Sequence, residues 1–297
     1  MTQRTTSLYS AGDAQFAADF SLSITQALKI QLTHALDHLP PAKLTRANLD
    51  LLDDRGGIYQ LMLDGNSVYI GKSKGSLPKR LTKHFSKISG RTAGLLDRIT
   101  FRCLYVNEDL DSMAPEKMLI QTLKSKDQAP WNQNGFGNND PGRKRDNSMV
   151  KEEHFDRMFG INIDLNISPK SKKPIETLYQ TMTGIKLALP YTFRFPSKSP
   201  EAKDLRLIDV SSERPDALTM TVGEWMNWLA QRLPAGWMIT SFPGYIICYQ
   251  EADPETYESR TGVWLSEGGG FQHFVHVPQF DDDGLVEDED NVPEDED

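Results

Sequence analysis

A chain of 297 residues with 38% hydrophobic content is long enough for two domains of ordinary size and a substantial core. It has no N-terminal apolar stretch of the signal-peptide kind and no run of ~18 apolar residues, so a cytoplasmic protein without a membrane span is expected. The net charge of -9 argues against a protein that grips a polyanion, but only until it is divided along the chain: Asp281–Asp297 carries 11 acidic residues and no basic one, which leaves residues 1–280 at +2.

Residues 1–20 show no periodicity and read as an arm. From Ser21 to Leu39 the apolar Leu22, Ile24, Leu28, Leu32 and Leu36 recur mostly four apart until Pro40-Pro41, the pattern of an amphipathic helix. A short helical stretch, Leu44–Asp53, leads into Gly56-Gly57, where missing side chains permit a sharp turn into a strand. Gly57–Leu63 and Ser67–Gly71 flank the turn signal Asp64-Gly65-Asn66 and predict a β-hairpin with Tyr59 opposite Tyr69, give or take one residue. Ser76 caps a helix with Pro78 in its first turn. Leu77, Leu81, Phe85 and Ile88 mark the helix's buried side, and Gly90 its end. Arg80 and His84, four apart, share one face, from which both can point at the hairpin.

A third strand is expected over Ile99–Val106, with Arg102 projecting from it. Ser112 then caps a helix on which Met113, Glu116, Leu119, Ile120 and Leu123 share one face, so a carboxylate stands in an apolar stripe where burial is costly without a cation. From the residues alone, that Glu116 is either a metal ligand or a surface-edge glutamate paired with a lysine. Gln128–Asp146 is Gly-, Asn- and Pro-rich, ends in Arg143-Lys144-Arg145, and reads as a loop suited to DNA contact. Residues 164–175 read as a solvated linker.

The C-terminal part is mixed α and β. Strands are expected at Tyr191–Phe195, Leu205–Val210, Trp237–Ser241, Gly244–Gln250 and Gly262–Leu265. Thr221-x-x-Glu224 is a capping box for a helix carrying Trp225, Trp228, Leu229 and Leu233, which Pro234 ends. Tryptophans at helical spacing mark core; stacking on bases is the alternative. Cys103 and Cys248 read as free thiols in a reducing compartment. The expected organisation is an N-terminal arm and helix over 1–50, a domain over 51–150, an α+β C-terminal domain of unassigned fold over 151–280, and a disordered acidic tail over 281–297.

Residues 55–103 hold ten basic side chains against only Asp64 and Asp97, a local charge of +8 that suits phosphate contact. Within that span Gly57-Ile58-Tyr59, Tyr69-Ile70-Gly71 and Arg80-x-x-x-His84 together resemble the signature of the GIY-YIG nuclease superfamily, with the ten-residue step between tyrosines that many members show. Pro130-Trp131-Asn132, Gly135-Phe136-Gly137-Asn138 and Asp140-Pro141-Gly142 resemble GIY-YIG type II restriction endonucleases of the CCGCGG-recognising kind. The resemblance spans about residues 45–146 and implies a small antiparallel or mixed sheet flanked by helices.

It also implies Mg²⁺-dependent hydrolysis of DNA phosphodiester bonds. Tyr59 would activate water, helped by positive charge from Lys72 and the metal, because a free phenol has a pKa of about 10. Arg80 would hold a non-bridging phosphate oxygen, Glu116 one Mg²⁺, and Asn132 the active-site groups; His84 would relay a proton or orient Tyr59, and Tyr69 would bond the phosphate. Lys74, Lys79, Lys83, Arg143, Lys144 and Arg145 are the candidate DNA contacts. A type II restriction enzyme would act on double-stranded DNA as a homodimer, with a DNA methyltransferase encoded nearby to protect the host. Homing, repair or phage-defence nucleases, and a non-catalytic DNA-binding protein on a relic nuclease fold, are the alternatives.

Overall fold

The computed structural model describes residues 24–92, 94–106, 129–136, 142–172, 174–212, 219–251 and 253–275, the side chains of residues 24–29 and Lys144 excepted. The helix expected after Ser112, with Glu116, and the acidic tail lie outside the described residues. Two sheets organise the rest, as the expected α+β class requires.

The first sheet has the order β1 (Ala42–Lys43), β4 (Ile99–Tyr105), β2 (Gly57–Leu63), β3 (Asn66–Ser73), each pair antiparallel. The hairpin turns where expected: Asp64 and Gly65 have φ of 50° and 84°, the two left-handed residues of a type I′ turn. Its register is not the expected one. Met62 faces Ser67 but Leu61 faces Tyr69, so Val68 is an extra residue in β3, and Tyr59 stands opposite Gly71. Because side chains alternate, this bulge puts Tyr59, Leu61, Tyr69 and Gly71 on one face, and Ile58, Ile70 and Lys72 on the other.

After the one-turn helix α2 (Arg46–Leu49), the helix α3 (Leu77–Ser89) covers the first face. Ser76 caps it by accepting from the Lys79 amide at 3.2 Å, and Leu77, Leu81, His84 and Ile88 are its buried residues, with Phe85 only half-buried. The opposite face receives the helix α1 (Ile24–Asp37), whose Leu36 packs with Ile58, Ile70 and Ala129. Gly56 and Gly57 need no special dihedral. A side chain on Gly57 would stand 2.1 Å from the Leu104 carbonyl oxygen, and one on Gly56 2.4 Å from that of Lys74. They are small because backbones cross there, not because the chain turns.

The second sheet has the order β11 (Phe271–Val275), β10 (Gly262–Ser266), β8 (Trp237–Ser241), β9 (Tyr245–Gln250), β6 (Thr192–Arg194), antiparallel except between β6 and β9. Helices Leu178–Ala188 and Val222–Arg232 pack on it. Both begin with complete capping boxes, Thr177 with Gln180 and the expected Thr221 with Glu224. Trp225, Trp237 and Trp264 are 1% exposed and Trp228 8%, so these tryptophans are core and not stacking platforms.

Two expectations fail here. Residues 164–175 are no solvated linker: β5 (Asn166–Ile167) pairs with β7 (Met220–Thr221), Ile167 and Ile175 are buried, and the Ile167 carbonyl accepts from Trp225 Nε1 at 3.2 Å. The first half of the expected strand Leu205–Val210 is the end of a helix, Pro200–Leu207, and beyond it only Asp209 forms an isolated bridge, with Thr177. Pro200 starts the helix, and Ala202 and Leu205, at helical spacing, are its buried residues.

Thr221→Ala removes both the amide acceptor and the hydroxyl bonded to Glu224. It is expected to lower stability by about 1 kcal/mol in urea unfolding followed by tryptophan fluorescence, without loss of fold.

Candidate active site

The bulge at Val68 and the start of α3 bring four of the expected residues together. The Tyr59 hydroxyl lies 2.6 Å from His84 Nε2 and accepts from Arg80 Nε at 3.3 Å. The Tyr69 ring stands 6.1 Å from Tyr59 and 5.3 Å from His84. Gly71 makes the arrangement possible, since a side chain there would stand 2.3 Å from the Tyr59 oxygen and 2.8 Å from the Tyr69 ring. In the tripeptide Tyr69-Ile70-Gly71, the glycine vacates the space that the phenol fills.

The cluster is enclosed: Tyr59 is 0% exposed, His84 5% and Tyr69 6%, with Arg80 half-buried. Burial raises the Tyr59 pKa well above the ordinary phenol value, the nearby Tyr69 adds to the rise, and Arg80 opposes it without prevailing. Tyr59 is therefore protonated at neutral pH. Burial, and then the charges of Arg80, Lys87 and Lys83, hold the His84 pKa down to about 3, so its ring is neutral. Burial also works against the charge of Arg80, but the two tyrosine oxygens outweigh it and raise its pKa, so the guanidinium stays charged.

Asn132 acts on backbone. It receives the Ile70 amide at 2.9 Å and donates to the Ile70 carbonyl at 2.8 Å, pairing with the outer edge of β3 as a neighbouring strand would. Residues 129–136 thereby wrap the edge: Ala129 packs on the far face with Ile58, while Trp131 and Phe136 join the core around Tyr59. Phe136 stacks on His84 at 4.9 Å and meets Tyr69 edge-on at 5.0 Å. Sequence patterning gave that phenylalanine no role, although its place four residues after Asn132 was part of the motif.

Lys72 is not part of the cluster. It pairs with Ile58 and so projects from the face opposite Tyr59. The positive charge beside the phenol comes from Arg80 instead.

The expected basic surface also shrinks. Arg91 is buried against Asp156 at 2.9 Å, Arg102 pairs with Asp37 at 2.7 Å, and Arg98 pairs with Asp64. Arg145, expected to touch DNA, is instead bound to Asp156, itself 3% exposed. Burial opposes ionisation of Asp156, but Arg91, Arg145 and Lys87 together hold its pKa at about 2. Lys74, Lys79, Lys83 and Arg143 are exposed, Lys79 at 3.4 Å from Asp54 and Arg143 over the Tyr249 ring at 4.0 Å. The Lys144 side chain is outside the description.

Tyr59, Tyr69, Arg80 and His84 offer no carboxylate, and among the described residues no group of three His, Cys, Asp or Glu is placed to hold a metal ion. A hard divalent cation is held mainly by carboxylate oxygens, which these four side chains lack.

Residues 55–129 match the family described as the GIY-YIG catalytic domain, about a quarter of the chain, and contain the hairpin and α3. The chain thus carries a GIY-YIG domain, which supports a DNA endonuclease. GIY-YIG nucleases generally use divalent metal ions. No curated protein matches the chain. Among the described residues no helix is long and apolar enough to cross a membrane.

Two outcomes follow from the enclosure. Gly71→Ala forces the Tyr59 ring out of place and is expected to destabilise the protein by about 1–3 kcal/mol in chemical unfolding, the cost of overpacking. Folded His84 takes up its proton near pH 3, whereas an unfolded histidine does so near 6.5, so unfolding binds a proton between those values. The stability present above pH 6.5 is therefore lost as pH falls through this window, and urea midpoints at pH 7.5 and 5 should differ less for His84→Gln than for the unaltered chain.

Proposed function

We propose that the protein is a Mg²⁺-dependent type II restriction endonuclease that cuts double-stranded DNA at a short palindrome as a homodimer. The proposed nuclease domain occupies about residues 51–150 and the C-terminal α+β domain 151–280. The observation that carries the reading is the hydroxyl of Tyr59 held between Arg80 and neutral His84.

Hydrolysis of a phosphodiester needs an attacking water that loses a proton, stabilisation of charge on phosphorus, and departure of the 3′ oxygen. With the His84 proton on Nδ1, the Tyr59 hydroxyl donates to Nε2, so the phenol oxygen can take a proton from water while passing its own to the imidazole. Tyr59 and His84 then act as one base. The pKa of about 3 belongs to the substrate-free site; a phosphate beside Arg80 adds negative charge that favours imidazolium and raises it. Arg80, permanently charged, grips a non-bridging oxygen as charge grows there. Asn132 holds β3 in register on both sides of Ile70 and thereby holds Tyr69 and Gly71.

Mg²⁺ is the proposed cofactor, and Glu116, outside the described residues, its candidate ligand. Lys74, Lys79, Lys83 and Arg143 are the proposed DNA contacts, and a cognate methyltransferase is the expected genetic neighbour.

Plasmid and phage DNA digested with Mg²⁺ should give discrete fragments whose sequenced ends share one palindrome. Tyr59→Phe and Arg80→Ala should each reduce cleavage by about 10²–10⁴-fold while DNA affinity, spread over several lysines, changes little. A smear of fragments, or cutting confined to branched or damaged DNA, would reject the restriction reading, and cleavage by Tyr59→Phe at the normal rate would reject the site.

A further inference from the structure

The reaction above leaves unexplained a lysine that reaches the same packing from the next turn of α3. Lys87 is half-buried and lies three residues after His84, on the same side of the helix. Its Nζ donates to the Phe136 carbonyl at 2.6 Å and to that of Gly135 at 3.4 Å, and stands 5.2 Å over the Phe136 ring and 5.3 Å over that of Phe155. Phe136, 1% exposed, lies nearly flat on the His84 imidazole, with 21° between the planes.

The turn that carries Phe136 is held from its other side as well. Asn134 accepts from the Phe155 amide at 2.8 Å. Gly135 has a φ of 77°, and a side chain there would stand 2.0 Å from His154 Nε2. The next residue in that segment, Asp156, binds Arg91 and Arg145 and attracts Lys87, whose charge burial, Arg91 and Arg145 oppose. Arg91 also donates to the Pro243 carbonyl at 3.2 Å, and Gly244 is closed to a side chain by the Asp156 carboxylate at 2.4 Å. The turn between β8 and β9 of the second sheet is thus seated on the same carboxylate.

We propose that Lys87, steadied by Asp156, is a positioning residue for His84: its bond to the Phe136 carbonyl fixes the ring lying on the imidazole, and so the approach of Nε2 to the Tyr59 hydroxyl. The second sheet reaches the proton-transfer pair through this chain of contacts. Only the kinetic part of the test rests on the nuclease reading.

The test compares Lys87→Met and Lys87→Arg in the full chain, with the ¹³C-labelled His84 ring followed by NMR and assigned with His84→Gln. Charged and titratable groups facing His84 are Tyr59 and Tyr69 from the strands and Arg80, Lys83 and Lys87 from α3. Lys87→Met should shift the His84 resonance as Phe136 moves, and raise the pH at which the ring protonates, because one of the three cations holding it neutral is gone. In cleavage, kcat should fall about 10- to 100-fold with KM little changed, and the acid limb of its pH profile should move up, with Lys87→Arg restoring much of both. A His84 resonance and titration unchanged in a folded Lys87→Met, whatever its melting temperature, would overturn the proposal. Should Lys87→Met not fold, Lys87→Gln removes the charge and shortens the reach to the Phe136 carbonyl while leaving the Phe136 ring itself present; a His84 resonance and titration unchanged there overturn the proposal equally. Failure of the unaltered protein to cut DNA would count against the nuclease reading and leave the resonance test standing.

Discussion

A phenol occupies the place where residue 71 would carry a side chain, and much of the first sheet is arranged around that substitution of space. Tyr59 can lie across β3 only because Gly71 is bare, and it meets Tyr69 only because Val68 is an extra residue. Were Val68 instead paired with Leu61 in regular register from the turn at Asp64-Gly65, Tyr59 would stand opposite Ile70, and Tyr69 would face Gln60 on the far side, among Ile58 and Leu36. One inserted residue therefore decides whether the two tyrosines share a site. Enclosure then sets the protonation states of Tyr59 and His84, because burial is the strongest influence on each.

Enclosure also divides the work of the charged residues. Arg80 remains half-buried at the edge of the cluster. Arg91 and Asp156 lie deep and hold the two sheets against each other, a role in which removing either partner would strand a charge. A count of basic residues cannot separate these uses. The local charge of +8 included Arg91, Arg98 and Arg102, whose partners Asp156, Asp64 and Asp37 come from helices, turns and segments up to 65 residues away.

What the sequence made legible was local. The I′ turn, the Ser76 cap and the Thr221 box each depend on residues within a few positions, and each was found where the pattern set it. The pairing of Tyr59 with His84 was legible too, through helical spacing and through resemblance. The bulge was not, because it leaves the alternation of apolar residues on either side intact and shows only in the partner strand. Nor was the side of Lys72, which inherits the same shift in register, or the fate of Arg145, which depends on Asp156. The segment 164–175 misled for a related reason. Its lysines and serines are polar in composition, while a few apolar residues, Leu165 and Ile167 against the core and the buried Ile175, tie it down.

The order of the first sheet leaves β3 on the outside, and an outer strand ordinarily invites another chain to continue the sheet. Here the side-chain amide of Asn132 has already taken both hydrogen-bonding groups of Ile70. Any second protein laying a strand along this rim would have to evict that amide, and in doing so would loosen the backbone between Tyr69 and Gly71. Self-association by sheet extension and an ordered backbone between Tyr69 and Gly71 are thus mutually exclusive at this edge, so any second copy would have to meet this one elsewhere on the surface.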